Sequence, residues 1–311
     1  MRWLASLMGF RYATRMTIRE LLKTWTPLFQ QHLRPLDLST AHLEIELLLA
    51  HILKKDRSWV AVHDETPLTS RQNGLFEGFA RRRLKQEPMA YILGHKAFYG
   101  REFLTDARAL IPRPETELLV ERAILHLKKQ ASSTLVIDVG TGSGAIAATI
   151  ALEVPSATVI ASDVDKKALA LARKNIKRLR ANVQLQQANL LDKSLLKQLG
   201  RSRAKQLVIV ANLPYLPLSD RTILAKSVTK YEPIQALFTK DHGLFLLRAL
   251  IEQLATFQEC DQRPLVLLAE FDPPQAETLC RIAAQYFPQA FVTIYQDLCG
   301  RDRVLEIVKK Q

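Results

Sequence analysis

The chain has 311 residues, 48% hydrophobic and 24% charged, an ordinary globular composition that excludes disorder, collagen and coiled coil and suggests about two domains. No apolar run approaches the roughly 18 residues of a membrane-crossing helix, and three cysteines without a CxxC pair (Cys260, Cys280, Cys299) argue against a disulfide framework or a zinc site and for a reducing compartment. A formal net charge of +13 favours polyanionic surroundings, but with aromatics at only 7% it identifies no activity; nucleic acid is not required by it, though the basic patches leave room for weak contact.

Residues 1–15 read as a basic extension, with Arg2, Arg11 and Arg15, no acid, and Trp3, Leu4, Leu7, Met8 and Phe10 at roughly helical spacing. A mitochondrial transit peptide has this look. An upstream translation start is the preferred reading, because Met16-Thr-Ile-Arg-Glu begins again as a first helix would; it implies a cytoplasmic protein. Residues 16–87 form a helical module: Leu43, Leu47, Leu48 and His51 share a face, Ser39 and Thr40 offer an N-cap, and Phe76, Phe79, Ala80 and Leu84 repeat the spacing. Residues 88–107 read as a β-hairpin linker, with Tyr91-Ile-Leu93 and the stretch from Ala97 to Leu104 as short strands turning at glycines.

The remainder, 108–311, opens with Ile111-Pro-Arg-Pro-Glu-Thr-Glu117 leading into a helix, Pro114 at its start and Glu115 and Glu117 in its first turn. Strands and helices then alternate: strands at 135–139, 157–162, 183–188, 207–211 and 265–270, helices at 145–153, 166–180, 243–255 and 274–286, and two closing strands at 291–296 and 304–308. The expected fold class is α/β, a mostly parallel sheet with helices on both faces and an antiparallel edge. The basic stretch 192–206 reads as an insertion without an assignable role.

Three features carry chemistry. After the first strand comes Gly140-Thr-Gly-Ser-Gly144, including Thr141, Gly142 and Ser143. Its glycines allow a sharp turn and close ligand approach ahead of a helix N-terminus. The second strand ends in Asp163, about 20 residues on, where an acid can accept hydrogen bonds from the ribose hydroxyls of an adenosine-containing ligand. The fourth strand ends in Asn212-Leu213-Pro214-Tyr215. Asn-x-Pro-Tyr there resembles the signature of S-adenosylmethionine enzymes that methylate planar, conjugated nitrogens. The Asn212 carboxamide oxygen and the Leu213 carbonyl can each accept one N–H of an amide or amino nitrogen, Pro214 stiffens the turn, and Tyr215 can pack on a planar group.

The chain resembles the peptide chain release factor glutamine-N(5) methyltransferases, the HemK/PrmC family. Asp56-Arg-Ser-Trp59, Pro88-Met-Ala-Tyr-Ile-Leu-Gly94, Phe98-Tyr-Gly100, Ile111 to Glu117, Asp138 to Gly144, Tyr231-Glu-Pro233 and Asp297-Leu-Cys-Gly-Arg-Asp-Arg303 carry the resemblance. It implies a Rossmann-like S-adenosylmethionine-dependent domain that methylates the glutamine of the Gly-Gly-Gln loop of class 1 release factors, with the helical module and hairpin gripping the protein substrate. It further implies that Asn189 and Leu190 lie by the adenine, that no metal takes part, and that a monomer suffices. Leu213 departs from the family's usual proline, Asn189 from its frequent aspartate, and Glu270-Phe-Asp from its Glu-Ile-Gly. Asn-Leu-Pro-Tyr is shared with rRNA adenine dimethyltransferases, so N(6)-adenine methylation of RNA or DNA stands as the alternative, with a catalytically silent RNA- or ribosome-binding protein behind it.

Overall fold

The computed structural model describes residues 16–33, 36–129 and 133–310; the extension expected over 1–15 lies outside them. The chain divides into two compact units, the first ending at Leu93 and the second beginning at Gly94. Among the described residues no helix is long and apolar enough to cross a membrane.

The first unit is helical, comprising Ile18–His32, Leu38–Leu53, Arg57–Val62, Ser70–Leu84 and Met89–Leu93. Thr17 and Glu20 form a capping box on the first helix. The second is capped by Asp37, which accepts from the Thr40 N–H, so Ser39 and Thr40 lie inside it. Its buried stripe is Ala41, Ile45, Leu48 and Leu49, packed with Trp25, Phe29 and Phe76; Leu43 and Leu47 are only half-buried. Tyr91-Ile-Leu93 is helical, a correction to the expected strand: the Pro88 carbonyl accepts from the Tyr91 and Ile92 N–H groups, and proline's fixed φ favours that helical start over β-propensity.

The second unit opens with the antiparallel hairpin β1 (His95–Phe98) and β2 (Arg101–Leu104). Phe98 and Phe103 meet edge-to-face at 6.0 Å in a core shared with Leu119 and Val120. The Asn175 amide grips Leu104 at both its N–H (2.7 Å) and its carbonyl (3.1 Å). Beyond the helix Thr116–Lys128 come β3 (Thr134–Val139), β4 (Thr158–Asp163), β5 (Val183–Gln187), β6 (Gln206–Ala211), the short parallel pair β7 (Leu216–Pro217) and β8 (Phe238–Thr239), then β9 (Leu265–Glu270), β10 (Phe291–Gln296) and β11 (Asp302–Lys309). The main sheet runs β10-β11-β9-β6-β3-β4-β5. β3, β4, β5, β6 and β9 are parallel, and β11 is antiparallel between β9 and β10.

The pleat divides the core. Val136 and Val208 face the helices Thr116–Lys128, Ala145–Glu153 and Lys166–Leu179. Ile137 and Ile209 face Lys193–Arg201, Phe245–Cys260 and Ala276–Tyr286. The stretch 192–206 is therefore an integral crossover: Leu195 and Leu199 of helix Lys193–Arg201 are fully buried in that core, which corrects its reading as an insertion. Because β4 and β6 leave β3 on opposite sides, a crevice opens beyond the carboxyl ends of β3 and β6.

Candidate functional site

β3 delivers its last turn of backbone into that crevice. The N–H groups of Gly140 and Thr141 both donate to the Ser162 carbonyl (2.9 and 2.8 Å), pinning the glycine loop to the end of β4. A Cβ on Gly140 would lie 2.8 Å from Leu213 Cδ2, and its φ is +76°. Any other residue there would be strained by that backbone angle and would displace the Leu213 methyl.

Beneath the loop sits Asp138, fully buried. Its Oδ2 accepts from the Thr141 hydroxyl (2.6 Å) and from the Ala147 N–H (3.1 Å), so it caps helix Ala145–Glu153 in place of the missing side chain of Gly144. Its Oδ1 has no partner among the described residues, and burial pushes its pKa up to about 7. Asp163, at the end of β4, accepts from the Gly142 N–H through Oδ2 and from the Asp165 N–H through Oδ1, each at 2.9 Å. Burial raises its pKa. Each oxygen keeps a further lone pair for a ligand hydroxyl.

These elements line one cavity of about 170 Å³, a concave site of the kind that small molecules and cofactors occupy. Gly140, Thr141, Gly142, Ser143, Asp163, Asn189, Leu190, Asn212, Leu213 and Pro214 all line it. Leu190 has a φ of +50°, a strained value for a branched residue. Gly144 lies behind the wall, where its Cβ would press on Ala172 at 3.1 Å. Tyr215 is also off the wall: its hydroxyl donates to Glu270 Oε1 (3.0 Å), and burial and that carboxylate raise its pKa.

Asn212 gives the site its polarity. Its Nδ2 donates to Thr116 Oγ1 (3.0 Å) and Glu270 Oε2 (3.1 Å), so Oδ1 is left as an acceptor. No described residue donates to that Oδ1 or to the Leu213 carbonyl. Two acceptors on consecutive residues are thus left over where β6 ends. Glu270, buried at the end of β9, ties Asn212 and Tyr215 together; burial raises its pKa against the hydrogen bonds from Thr116 and Tyr215. A second buried acid, Glu232, accepts from the Ile111 N–H (3.2 Å) and the Arg113 guanidinium (2.5 Å), holding the cavity-lining segment 111–113.

Motif reading gave no role to Asp138, Glu232 or Glu270. For Asp138 and Glu270 the available signal was a lone acid within or closing an apolar strand, as in Leu-Val-Leu-Leu-Ala-Glu270, since an acid buried there needs partners; Glu232 follows a short helix and carries no such signal.

The family model described as the PrmC N-terminal domain matches residues 20–94, and that of the methyltransferase small domain matches residues 114–215. A Geobacter sulfurreducens protein named release factor glutamine methyltransferase is 34% identical over 290 residues, spanning 93% of this chain and 95% of its own length. One of the same name from Bacillus cereus is 32% identical over 262 residues, 84% of this chain and 90% of its own. The chain belongs to the release factor glutamine methyltransferase family. Among solved structures, a Pyrococcus furiosus methyltransferase superposes with a TM-score of 0.45 at 17% identity, over 78% of this chain and all of that one. Membership makes the chain a methyltransferase of the protein-glutamine class, favoured over the adenine alternative that Asn-Leu-Pro-Tyr left open.

Proposed function

We propose that the chain transfers the methyl group of S-adenosylmethionine to the side-chain amide nitrogen of the glutamine in the Gly-Gly-Gln loop of a class 1 release factor. The observation that carries this reading is the commitment of Asn212 Nδ2 to Thr116 and Glu270, which presents Oδ1 and the Leu213 carbonyl as a pair of acceptors suited to the two N–H groups of a carboxamide.

The cavity fits the cofactor. The glycine loop lining the cavity at 140–143, the free lone pairs of Asp163 and the wall formed by Asn189 and Leu190 suit an amino-acid tail, a ribose and an adenine. Gly140, Thr141, Gly142 and Ser143 would shape the bed for the tail, with Gly144 behind them allowing close packing on Ala172; Asp163 would accept from the ribose, and Asn189 and Leu190 would border the base. When bound, S-adenosylmethionine supplies an electrophilic methyl on a sulfonium.

The chain's own part is orientation and electrostatics. An amide nitrogen is a poor nucleophile because its lone pair is delocalised into the carbonyl. Asn212 Oδ1 and the Leu213 carbonyl fix the nitrogen and stabilise the positive charge that builds on it during in-line transfer. The Glu270 carboxylate behind Asn212 polarises its amide and strengthens Oδ1 as an acceptor. One N–H proton then leaves to solvent; no general base is invoked. Pro214 stiffens the turn, and Tyr215 acts as a positioning residue through Glu270. The helical module 16–87 and the hairpin segment 88–107 grip the release factor, while 108–311 performs the transfer. The same reading has the protein acting as a monomer in the cytoplasm, with no nucleic acid needed for the reaction.

The test is methyl transfer from radiolabelled S-adenosylmethionine to a purified class 1 release factor, beside its Gly-Gly-Ala form and bulk rRNA. Label on the wild-type factor alone is expected. Label on rRNA would sink the proposal in favour of adenine methylation.

A further inference from the structure

We propose that the rim of the sheet at β5 is a docking surface for the backbone of duplex RNA, separate from the methyl-transfer cavity and independent of the function proposed for it. β5 is the end strand of the sheet, paired with β4. The helices Lys166–Leu179 and Lys193–Arg201 flank it from opposite faces. From Lys166 to Lys205 the sequence holds twelve Lys and Arg against one acid, Asp192, so this stretch accounts for most of the net charge of +13. All twelve cations are exposed. Asp192 is occupied in capping its helix through the N–H groups of Ser194 and Leu195. Among the described residues Arg178 has an ion-pair partner, Glu102 at 3.2 Å, and the other eleven have none.

The cations are ordered along the rim. Arg173, Lys177 and Arg180 follow one another at helical i, i+4, i+7 spacing and border a groove with Val183 and Leu185 of β5. Lys197 and Arg201, one turn apart, border a second groove whose floor is Gln184, Gln186 and Gln187 of the same strand. Each i to i+4 step advances about 6 Å along its helix. Two rows of cations therefore bracket a strand whose side chains offer neutral amides.

What the rim lacks decides its partner. Uncompensated like charges repel one another, and a polyanion relieves that repulsion. The exposed large hydrophobic side chains of the molecule lie outside 166–205, so the rim has nothing to insert into a bilayer and no anchor of the kind protein interfaces centre on. The same stretch contains no aromatic residue, hence no platform for stacking unpaired bases. Cations that meet phosphates, beside amides of Gln184, Gln186 and Gln187 that keep further N–H groups and lone pairs beyond their bonds to Gln198, Ser194 and the Val164 carbonyl, match the wide minor groove of A-form RNA, read by shape and not by base.

The experiment titrates the full-length protein against a labelled RNA duplex of about 16 base pairs, the span of a double-stranded RNA-binding domain, at several salt concentrations. One variant carries Arg173→Gln, Lys177→Gln, Arg180→Gln, Lys197→Gln and Arg201→Gln. A control removes the same charge elsewhere with Lys23→Gln, Lys54→Gln, Lys128→Gln, Lys129→Gln and Arg281→Gln. The rim variant is expected to bind at least tenfold more weakly, with its log–log salt slope reduced by about 4, and to methylate release factor at the wild-type rate without RNA. The control is expected to keep wild-type affinity. Equal loss in the control would overturn the assignment to the rim. Binding to DNA duplex as tight as to RNA, or to phosphatidylserine vesicles in preference to both, would overturn the assignment to RNA.

Discussion

At Asn212, Thr116 and Glu270 engage the side-chain nitrogen, and the usefulness of the residue lies in the oxygen this leaves over. Asn212→Ala is expected to lower kcat by roughly 10²–10³-fold, the scale of losing one oxyanion-hole donor, while the dissociation constant for S-adenosylmethionine stays near wild type. Glu270→Gln tests the same arrangement from behind. Glutamine would bring one acceptor and one donor to a place where Asn212 Nδ2 and the Tyr215 hydroxyl both donate, so either the Tyr215 hydroxyl must reverse to accept or Asn212 turns its nitrogen toward the substrate. A tenfold or larger fall in kcat with unchanged cofactor affinity is the expected result; wild-type kcat in single-turnover assays would show that Glu270 does not orient Asn212. Asp138 yields a prediction in pH. Its carboxyl, raised to about 7, holds its proton in the folded protein at pH values where the unfolded chain, with a pKa of about 3.9, has lost it. The folded state thus binds more protons between about pH 4 and pH 7, and stability falls as pH rises through that window, then levels off. Asp138→Asn keeps the shape and an acceptor but cannot ionise. Its melting temperature should exceed the wild type's by an amount that grows from pH 4 to pH 7 and is constant above; parallel pH profiles would refute the buried, protonated state.

Among the elements, helix Lys193–Arg201 shows why some structure was legible in the sequence and some was not. Its signals were present: Asp192 as N-cap and Leu195 and Leu199 four apart. Lys193, Lys197 and Arg201 on the opposite face masked them, so the stretch read as a charged insertion. The motif loops at 140–144 and 212–215 were legible because their function rests on consecutive residues. Glu270, Glu232 and Asp138 were not, because each is defined by partners the fold brings from far along the chain, such as Arg113 for Glu232. Tyr91-Ile-Leu93 shows the reverse error, β-propensity overruled by a proline-started helix turn. The placement of Lys193–Arg201 has a measurable consequence. Leu199→Ala should cost about 2–5 kcal/mol in urea unfolding, since it empties a fully buried site. Lys197→Ala on the exposed face should stay within about 0.5 kcal/mol. A neutral Leu199→Ala would restore the view of this stretch as an insertion.

At the scale of the whole molecule, each of the two units has a hydrophobic core of its own: Ile45, Leu48 and Phe76 centre one, and the two faces of the seven-stranded sheet hold the other. Every residue assigned here to cofactor binding or to the nitrogen acceptors lies after Gly94, and a unit with its own core can fold alone. A chain of residues 94–311 is therefore expected to unfold cooperatively and to bind S-adenosylmethionine within about threefold of the full-length Kd, a difference of less than about 1 kcal/mol. If the helical unit supplies the grip on the release factor, the same fragment should lose kcat/KM toward the intact factor by tenfold or more, because the energy that orients a protein substrate is drawn from contacts remote from the reacting nitrogen. Calorimetric titration with the cofactor and methylation kinetics on the intact factor separate the two claims. A fragment that binds cofactor normally and methylates the factor at full efficiency would remove the helical unit from substrate recognition, leaving the cavity chemistry untouched. A fragment that fails to bind cofactor would show that the methyl-transfer unit depends on residues before Gly94.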